Sequence, residues 1–169
     1  MTVSPAMTHE THLTSDRRLR VAVAGFGRRC RVHTKILIGL ADTQVAAVCD
    51  ISVEARDAAS QEFGVTKCYA DLDRMLDTEE LDAVFVAMPA HLNAAFALPC
   101  LRRGVSTLLE KPPGLSAAET AELRDAAVES GAKAMVGWNR RFHPIIVKAR
   151  NMVEARGPVT QLVGEFHKS

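Results

Sequence analysis

Three stretches of this sequence carry groups that could do chemistry. Gly25-Phe26-Gly27-Arg28-Arg29-Cys30 follows the apolar run Leu19–Ala24 and leads into a segment where Val32, Ile36 and Leu40 recur at helical spacing. At a strand-to-helix turn the first glycine permits a tight reversal and the second lets backbone approach a diphosphate. The unpaired amides and dipole of the helix start favour its negative charge. Asp50 lies 20 residues beyond Cys30, at the end of a second apolar run, where a carboxylate can accept from ribose hydroxyls. Lys111 sits in Leu108-Leu109-Glu110-Lys111-Pro112-Pro113-Gly114, a Pro-bounded turn that ends a fifth apolar run. That position suits a proton-handling or ligand-binding amine, because ligands of open α/β sheets bind at the carboxyl ends of strands.

Each stretch also has a plainer reading: a glycine-rich turn, a helix-capping Asp and a solvated surface lysine. The order strand, glycine turn, helix, strand, acid favours the dinucleotide reading for the first two. A carboxylate at Asp50 repels the 2′-phosphate of NADP and points to NAD, while Arg28 and Arg29 keep NADP open. A methyltransferase built on the same logic would carry an acid before the glycine turn, and Val21-Ala22-Val23-Ala24 offers none. Cys30 stands where such turns want Gly or Ala, and is expected to push the helix outward or reshape the loop.

The elements that must position these groups are short apolar runs. Leu19–Ala24, Val45–Cys49, Ala83–Ala87, Val105–Leu109 and Ala132–Val136 are continuous rather than alternating, as strands buried on both faces are, with a weaker candidate at Val65–Tyr69. Between them lie helical segments with recognisable ends. Ser52 precedes one that stops at Gly64, and Ser116 with Glu119 forms a capping box opening a helix to Ser130 and Gly131. Asn93–Arg103 reads as another, in which Pro99 is expected to cause a bend or an early break. Strand and helix in alternation predict a doubly wound α/β Rossmann sheet over residues 18–137. Residues 1–17 read as a disordered leader, and residues 138–169 as the start of an incomplete α+β substrate domain. In that last part a helix is expected over 141–155 and a strand over 159–166, and the chain is expected to be truncated.

Composition excludes several classes. With 21 Lys+Arg against 20 Asp+Glu the net charge is +1, too small for a phosphate-tracking surface, so no nucleic acid is expected. No run approaches the roughly 18 apolar residues of a membrane span, and a soluble cytoplasmic protein is expected. Cys30, Cys49, Cys68 and Cys100 show no metal-ligand rhythm and read as four buried thiols. His9 and His12 lack anything to fix their geometry, and no metal site is expected.

The glycine turn, Asp50, Glu110-Lys111-Pro112 and Gly137-Trp138-Asn139-Arg140-Arg141-Phe142-His143-Pro144 together resemble the amino-terminal half of the Gfo/Idh/MocA oxidoreductases. The resemblance runs from about Leu19 to the end. It implies a Rossmann domain binding NAD(P) and a second, sheet-built domain supplying substrate and oligomer contacts, hence a small-molecule substrate and a homo-oligomer. The reaction implied is hydride transfer between nicotinamide and a sugar, cyclitol or related hydroxylated compound. Gly25, Phe26, Gly27, Arg28 and Arg29 would hold the pyrophosphate and Asp50 the adenosine ribose. Met88 and Pro89 would flank the cofactor, and Glu110, Lys111 and Pro112 would face the nicotinamide side, with a cis peptide before Pro112. Lys111 would meet the nicotinamide ribose and the substrate hydroxyl as the catalytic residue, and Arg141 would lie near the nicotinamide. Where relatives commonly read Thr-Pro-Asn-x-x-His, this chain reads Met88-Pro89-Ala90-His91-Leu92-Asn93, so Ala90 and Asn93 hold the Asn and His positions. The alternative to an enzyme is a non-catalytic NAD(H)-binding or partner-binding module.

Overall fold

The computed structural model describes residues 17–165. The expected leader falls outside them except for Arg17, which is not loose: its guanidinium meets the Asp82 carboxylate at 2.6 Å. His9 and His12 lie outside the described residues, and the described ones contain no cluster of metal-ligating side chains. Among the described residues no helix is long and apolar enough to cross a membrane.

Residues through Val136 and residues from Gly137 onward form two compact units. The first is a sheet of six strands, β1 (Leu19–Ala24), β2 (Thr43–Cys49), β3 (Cys68–Tyr69), β4 (Ala83–Val86), β5 (Ser106–Leu109) and β6 (Ala134–Val136). Their order is β3-β2-β1-β4-β5-β6 and every pair is parallel. Helices α1 (Arg28–Gly39), α2 (Val53–Phe63), α3 (Leu72–Thr78), α4 (Asn93–Arg102) and α5 (Ala117–Ser130) connect them.

The continuous apolar runs are explained by two cores. Val21 and Val23 of β1 face Cys30 and Leu37 of α1 and Ala59 of α2, while Ala22 and Ala24 face a second cluster built from α3, α4 and α5. A strand covered on both sides has no solvent face to mark with polar residues. The sheet-facing side of α1 is Cys30, Thr34 and Leu37, whereas Val32 and Ile36 are more than half exposed. The i, i+4, i+8 stripe of Val32, Ile36 and Leu40 therefore marks the outer face. Three thiols are buried as expected, but Cys68, on the two-residue edge strand, is only half-buried.

Helix ends follow their capping residues. Ser52 Oγ accepts from Ala55 N at 3.1 Å and Gly64 closes α2 in the left-handed region. Ser116 Oγ accepts from Glu119 N at 3.1 Å, while the Glu119 carboxylate reaches one residue further back than a capping box requires, to Leu115 N at 2.6 Å. Pro99 lies inside α4 without the expected early break. The backbone bond it removes would have ended on Ala95, an exposed residue whose carbonyl water can serve.

In the second unit a one-turn 3-10 helix (Asn139–Phe142) precedes α6 (Pro144–Glu154). The single helix expected over 141–155 is divided because Pro144 holds His143 extended, at φ −64° and ψ 131°. The strand expected over 159–166 does not form in the described 159–165, all of which are exposed.

At the amino ends of the strands, Glu79 forms a buried polar knot. Its carboxylate accepts from Tyr69 Oη at 2.6 Å, Lys67 Nζ at 2.9 Å and Arg20 Nη2 at 3.0 Å. Burial pushes this carboxyl up, but the Tyr69 hydroxyl, Lys67 and Arg20 outweigh it and hold it below its ordinary value of 4.5. A lowered folded-state pKa stabilises the fold above the ordinary carboxylate range, and that contribution fades as pH falls through the folded value. Glu79→Gln is expected to cost about 2 kcal/mol at pH 7 in urea unfolding. The gap to wild type should narrow below pH 4.5; a gap that is constant with pH would contradict the charge-based account.

Candidate functional site

The strand order reverses between β1 and β4, and the loops leaving the carboxyl ends of β1, β2, β4 and β5 meet at that point. A crevice opens there whenever neighbouring crossovers run to opposite sides. A cleft of about 450 Å³ lies along it, lined by Gly25, Asp50, Ile51, Asp71, Met88 and Phe96 among others.

Gly25 begins the turn with its amide donating to Cys49 O at 2.8 Å and with φ +83°. A Cβ there would come to 2.4 Å from Met88 Sδ and 3.2 Å from Ala87 O, so only glycine fits. Gly27 is different. It is exposed, has φ −74°, and a Cβ on it would meet no atom of the described residues within 4 Å. Nothing among the described residues therefore demands glycine at this position. As N-cap of α1, Gly27 supplies no capping side chain, and no acidic residue occupies the first turn. The amides there are left for water or for an anionic ligand. Arg28 and Arg29 are exposed beside them and form no ion pair among the described residues.

Phe26 anchors the turn from below. Its ring is 1% exposed and meets Phe63 edge-on at 5.7 Å, with the Arg31 guanidinium 5.7 Å above it. Cys30 is fully buried, its thiol 3.8 Å from Ala24 O, and α1 starts regularly with Arg31 N bonded to Gly27 O at 3.1 Å. Burial pushes this thiol up to about 12.

Asp50 sits at the end of β2 as expected, but its carboxylate is already engaged. Oδ2 accepts from Phe26 N at 2.6 Å and Oδ1 from Ser52 N at 2.9 Å. One side chain thus joins the glycine turn to the start of α2. A carboxylate offers about four lone-pair directions, leaving acceptor capacity toward the cleft. Arg56 Nη1 is committed to the carbonyls of Asp50 at 2.7 Å and Ile51 at 3.0 Å.

On the other side of the crevice, Met88 is half-buried and Pro89 is exposed. The Lys111-Pro112 peptide is cis, in line with the resemblance. Glu110 donates its amide to Val86 O at 2.9 Å, and its carboxylate lies 3.5 Å from His33 Nε2 of α1. Lys111 is exposed, with no ion-pair partner among the described residues. Arg141 belongs to the second unit, where its guanidinium lies 5.5 Å over the ring of Phe142; it is not among the residues that the first unit brings together.

Sequence reading missed His33 and, although it marked Asn93 as standing at the family's His position, it missed what Asn93 does. His33 packs against Phe85 at 5.6 Å and faces Glu110. Asn93 is fully buried and bonds three backbone groups around the crevice. A signal for Asn93 existed: it is a polar residue in phase with Ala97, Cys100 and Leu101, the buried face of α4.

The family model described as "Oxidoreductase family, NAD-binding Rossmann fold" matches residues 19–138. D-xylose 1-dehydrogenase (NADP(+)) 2 of Haloferax volcanii is 30% identical over 124 residues, 73% of this chain and 38% of that protein. Inositol 2-dehydrogenase of Rhizobium meliloti is 29% identical over 136 residues, 80% of this chain and 41% of that protein. The crystal structure of GenD2 from gentamicin A biosynthesis in complex with NAD superposes with a TM-score of 0.78 at 28% identity, covering 92% of this chain and 43% of that one. The chain thus spans about two-fifths of the length of the relatives it matches.

The two glycines should separate under substitution. Gly25→Ala is expected to lower stability by about 1–3 kcal/mol through strain at positive φ and collision with Met88. Gly27→Ala should stay within about 0.5 kcal/mol of wild type. Chemical unfolding of both checks this, and equal losses would contradict the geometry.

Proposed function

Because this chain belongs to the oxidoreductase family of the NAD-binding Rossmann fold, the Gfo/Idh/MocA oxidoreductases, we propose that it binds NAD(H) and serves as the cofactor half of a dehydrogenase acting on a sugar, cyclitol or related hydroxylated compound. The observation that carries the cofactor reading is Gly27: open space where a side chain would be harmless to the protein, directly before uncapped helix amides. A diphosphate needs that space and those donors.

In this reading Gly25 sets the reversal, and Phe26, Gly27, Arg28 and Arg29 surround the pyrophosphate. Asp50 accepts from the adenosine ribose with its remaining lone pairs while it holds the turn. Its charge disfavours a 2′-phosphate, and Arg56, bound to two carbonyls, is not free to neutralise one. NAD is therefore the preferred cofactor and NADP the secondary one. Met88 and Pro89 flank the nicotinamide half, and Glu110 and Pro112 shape the turn that presents Lys111.

When bound, the nicotinamide supplies a hydride acceptor or donor. Lys111 Nζ holds or moves the proton of the substrate hydroxyl, its exposure leaving it free to approach substrate. A lysine alone is an incomplete acid/base set, so its proton-transfer partner is supplied by other groups of the working enzyme. The protein in this reading is a cytoplasmic homo-oligomer, and the exposed apolar side chains of α1 and α6, Ile36 and Ile145 among them, support association.

Titration of the folded chain with NADH, followed by nicotinamide fluorescence, tests the cofactor reading. Saturable binding is expected, weakened about tenfold or more in Gly27→Ala. Asp50→Ala should lose more affinity for NADH than for NADPH. Folded protein without saturable binding would overturn the reading. For the chemistry, the intact gene product is assayed with NAD+ on a panel of inositols and aldoses. Lys111→Ala should lower kcat by roughly 10²-fold or more, and turnover retained alongside NADH affinity would remove Lys111 from catalysis.

A further inference from the structure

We infer that Asn93 is a positioning residue for the nicotinamide side of the site, fixing Lys111 by holding the carbonyls on both sides of it with a single amide group. The inference rests on the cofactor reading above and deepens it.

Asn93 is the first residue of α4 and is 0% exposed. Its Oδ1 accepts from Met88 N at 3.2 Å, and its Nδ2 donates to Glu110 O at 3.0 Å and to Pro112 O at 2.9 Å. The amide orientation is determined by these partners, since oxygen faces an N–H and nitrogen faces two carbonyls. Both amide protons are used. Lys111 lies between the two carbonyls that share them, so its backbone is straddled by one side chain.

The same amide group reaches the other loop of the crevice. Met88 N is tied to Oδ1, and the Met88 side chain fills the space beside Gly25. One buried side chain therefore sets the spacing between the β4 loop and the β5 loop, and through Met88 it touches the glycine turn. Lys111 has no ion pair of its own among the described residues to restrain it.

Asparagine is the side chain that this arrangement needs. A neutral imidazole, the group the family resemblance expects here, has one donor and one acceptor. It could serve Met88 N and one carbonyl but would leave the second, part-buried carbonyl without this partner. Aspartate would present oxygens to both carbonyls and no donor to either.

The test uses two ligands that share the adenosine and diphosphate but differ in the nicotinamide: NADH and ADP-ribose. Asn93→His is expected to weaken NADH about tenfold and ADP-ribose less than twofold, by calorimetric titration. A merely structural role would weaken both alike, and that outcome, or no loss for either ligand, would overturn the inference. Action through Lys111 requires that Asn93→His added to Lys111→Ala weaken NADH no further than Lys111→Ala alone; additive losses would overturn it. If Asn93→His does not fold, wild-type protein still decides the matter by NMR. NADH, but not ADP-ribose, should shift the Asn93 side-chain amide resonances, and identical responses would overturn the inference. Wild-type protein that binds ADP-ribose as tightly as NADH would instead remove the nicotinamide-side reading, and the inference with it. Wild-type protein that binds neither would remove the cofactor reading itself.

Discussion

The carboxylate of Asp50 is the tie on which the candidate site depends. Without it, the hydrogen bonding of the glycine turn to the sheet among the described residues would rest on the backbone bond from Gly25 to Cys49, beside the packing of Phe26. With it, the amide of Phe26 and the amide of Ser52 are held by the two oxygens of one side chain. The turn and the start of α2 therefore move as one body. A charged acceptor makes shorter and stronger bonds to amides than a neutral one, which suits a loop that must keep its shape while its outer amides stay available. The acid at the end of β2 thus has a structural task in addition to any ligand it meets.

The two ends of the sheet solve different electrostatic problems. At the amino ends, Glu79 is enclosed by Tyr69, Lys67 and Arg20, and Asp82 by Arg17 and the Arg20 backbone. Those charges are satisfied within the chain. At the carboxyl ends the opposite holds: Arg28, Arg29 and Lys111 are exposed without ion pairs among the described residues, and the start of α1 is uncapped. Paired charges are concentrated at the amino ends, and exposed cations and uncapped amides at the carboxyl ends, where a ligand would supply the missing partners.

Much of this was legible in the sequence because strands buried on both faces write continuous apolar runs and because Ser52, Gly64, Ser116 and Gly131 mark helix ends by local chemistry. Six strands and their parallel order followed from that. The outward stripe on α1 was misleading: Val32, Ile36 and Leu40 have helical period, but Cys30, Thr34 and Leu37, small or less regular, are the residues that meet the sheet. Periodicity gives the phase of a helix only when its exposed face is polar. The division at Pro144 and the missing strand after it were illegible for another reason, since a strand depends on a partner ladder that local pattern does not reveal. The departure at Asn93 was visible in the sequence, but its role was not, because its three bonds join residues as far apart as Met88 and Pro112, a relation that only the assembled sheet creates.

The sulfur chemistry of the chain has a practical side. Cys30 lies directly beneath the phosphate-type turn, where an accessible thiolate would invite electrophiles and peroxides. Its burial, and that of Cys49 and Cys100, pushes these thiols to about 12, 11 and 12. At neutral pH the nucleophilic form is therefore scarce, and the surrounding packing denies reagents an approach. The turn carries a sulfur at its foot as though it were a hydrocarbon, which leaves the half-buried Cys68, at the far edge of the sheet, as the cysteine most open to thiol reagents.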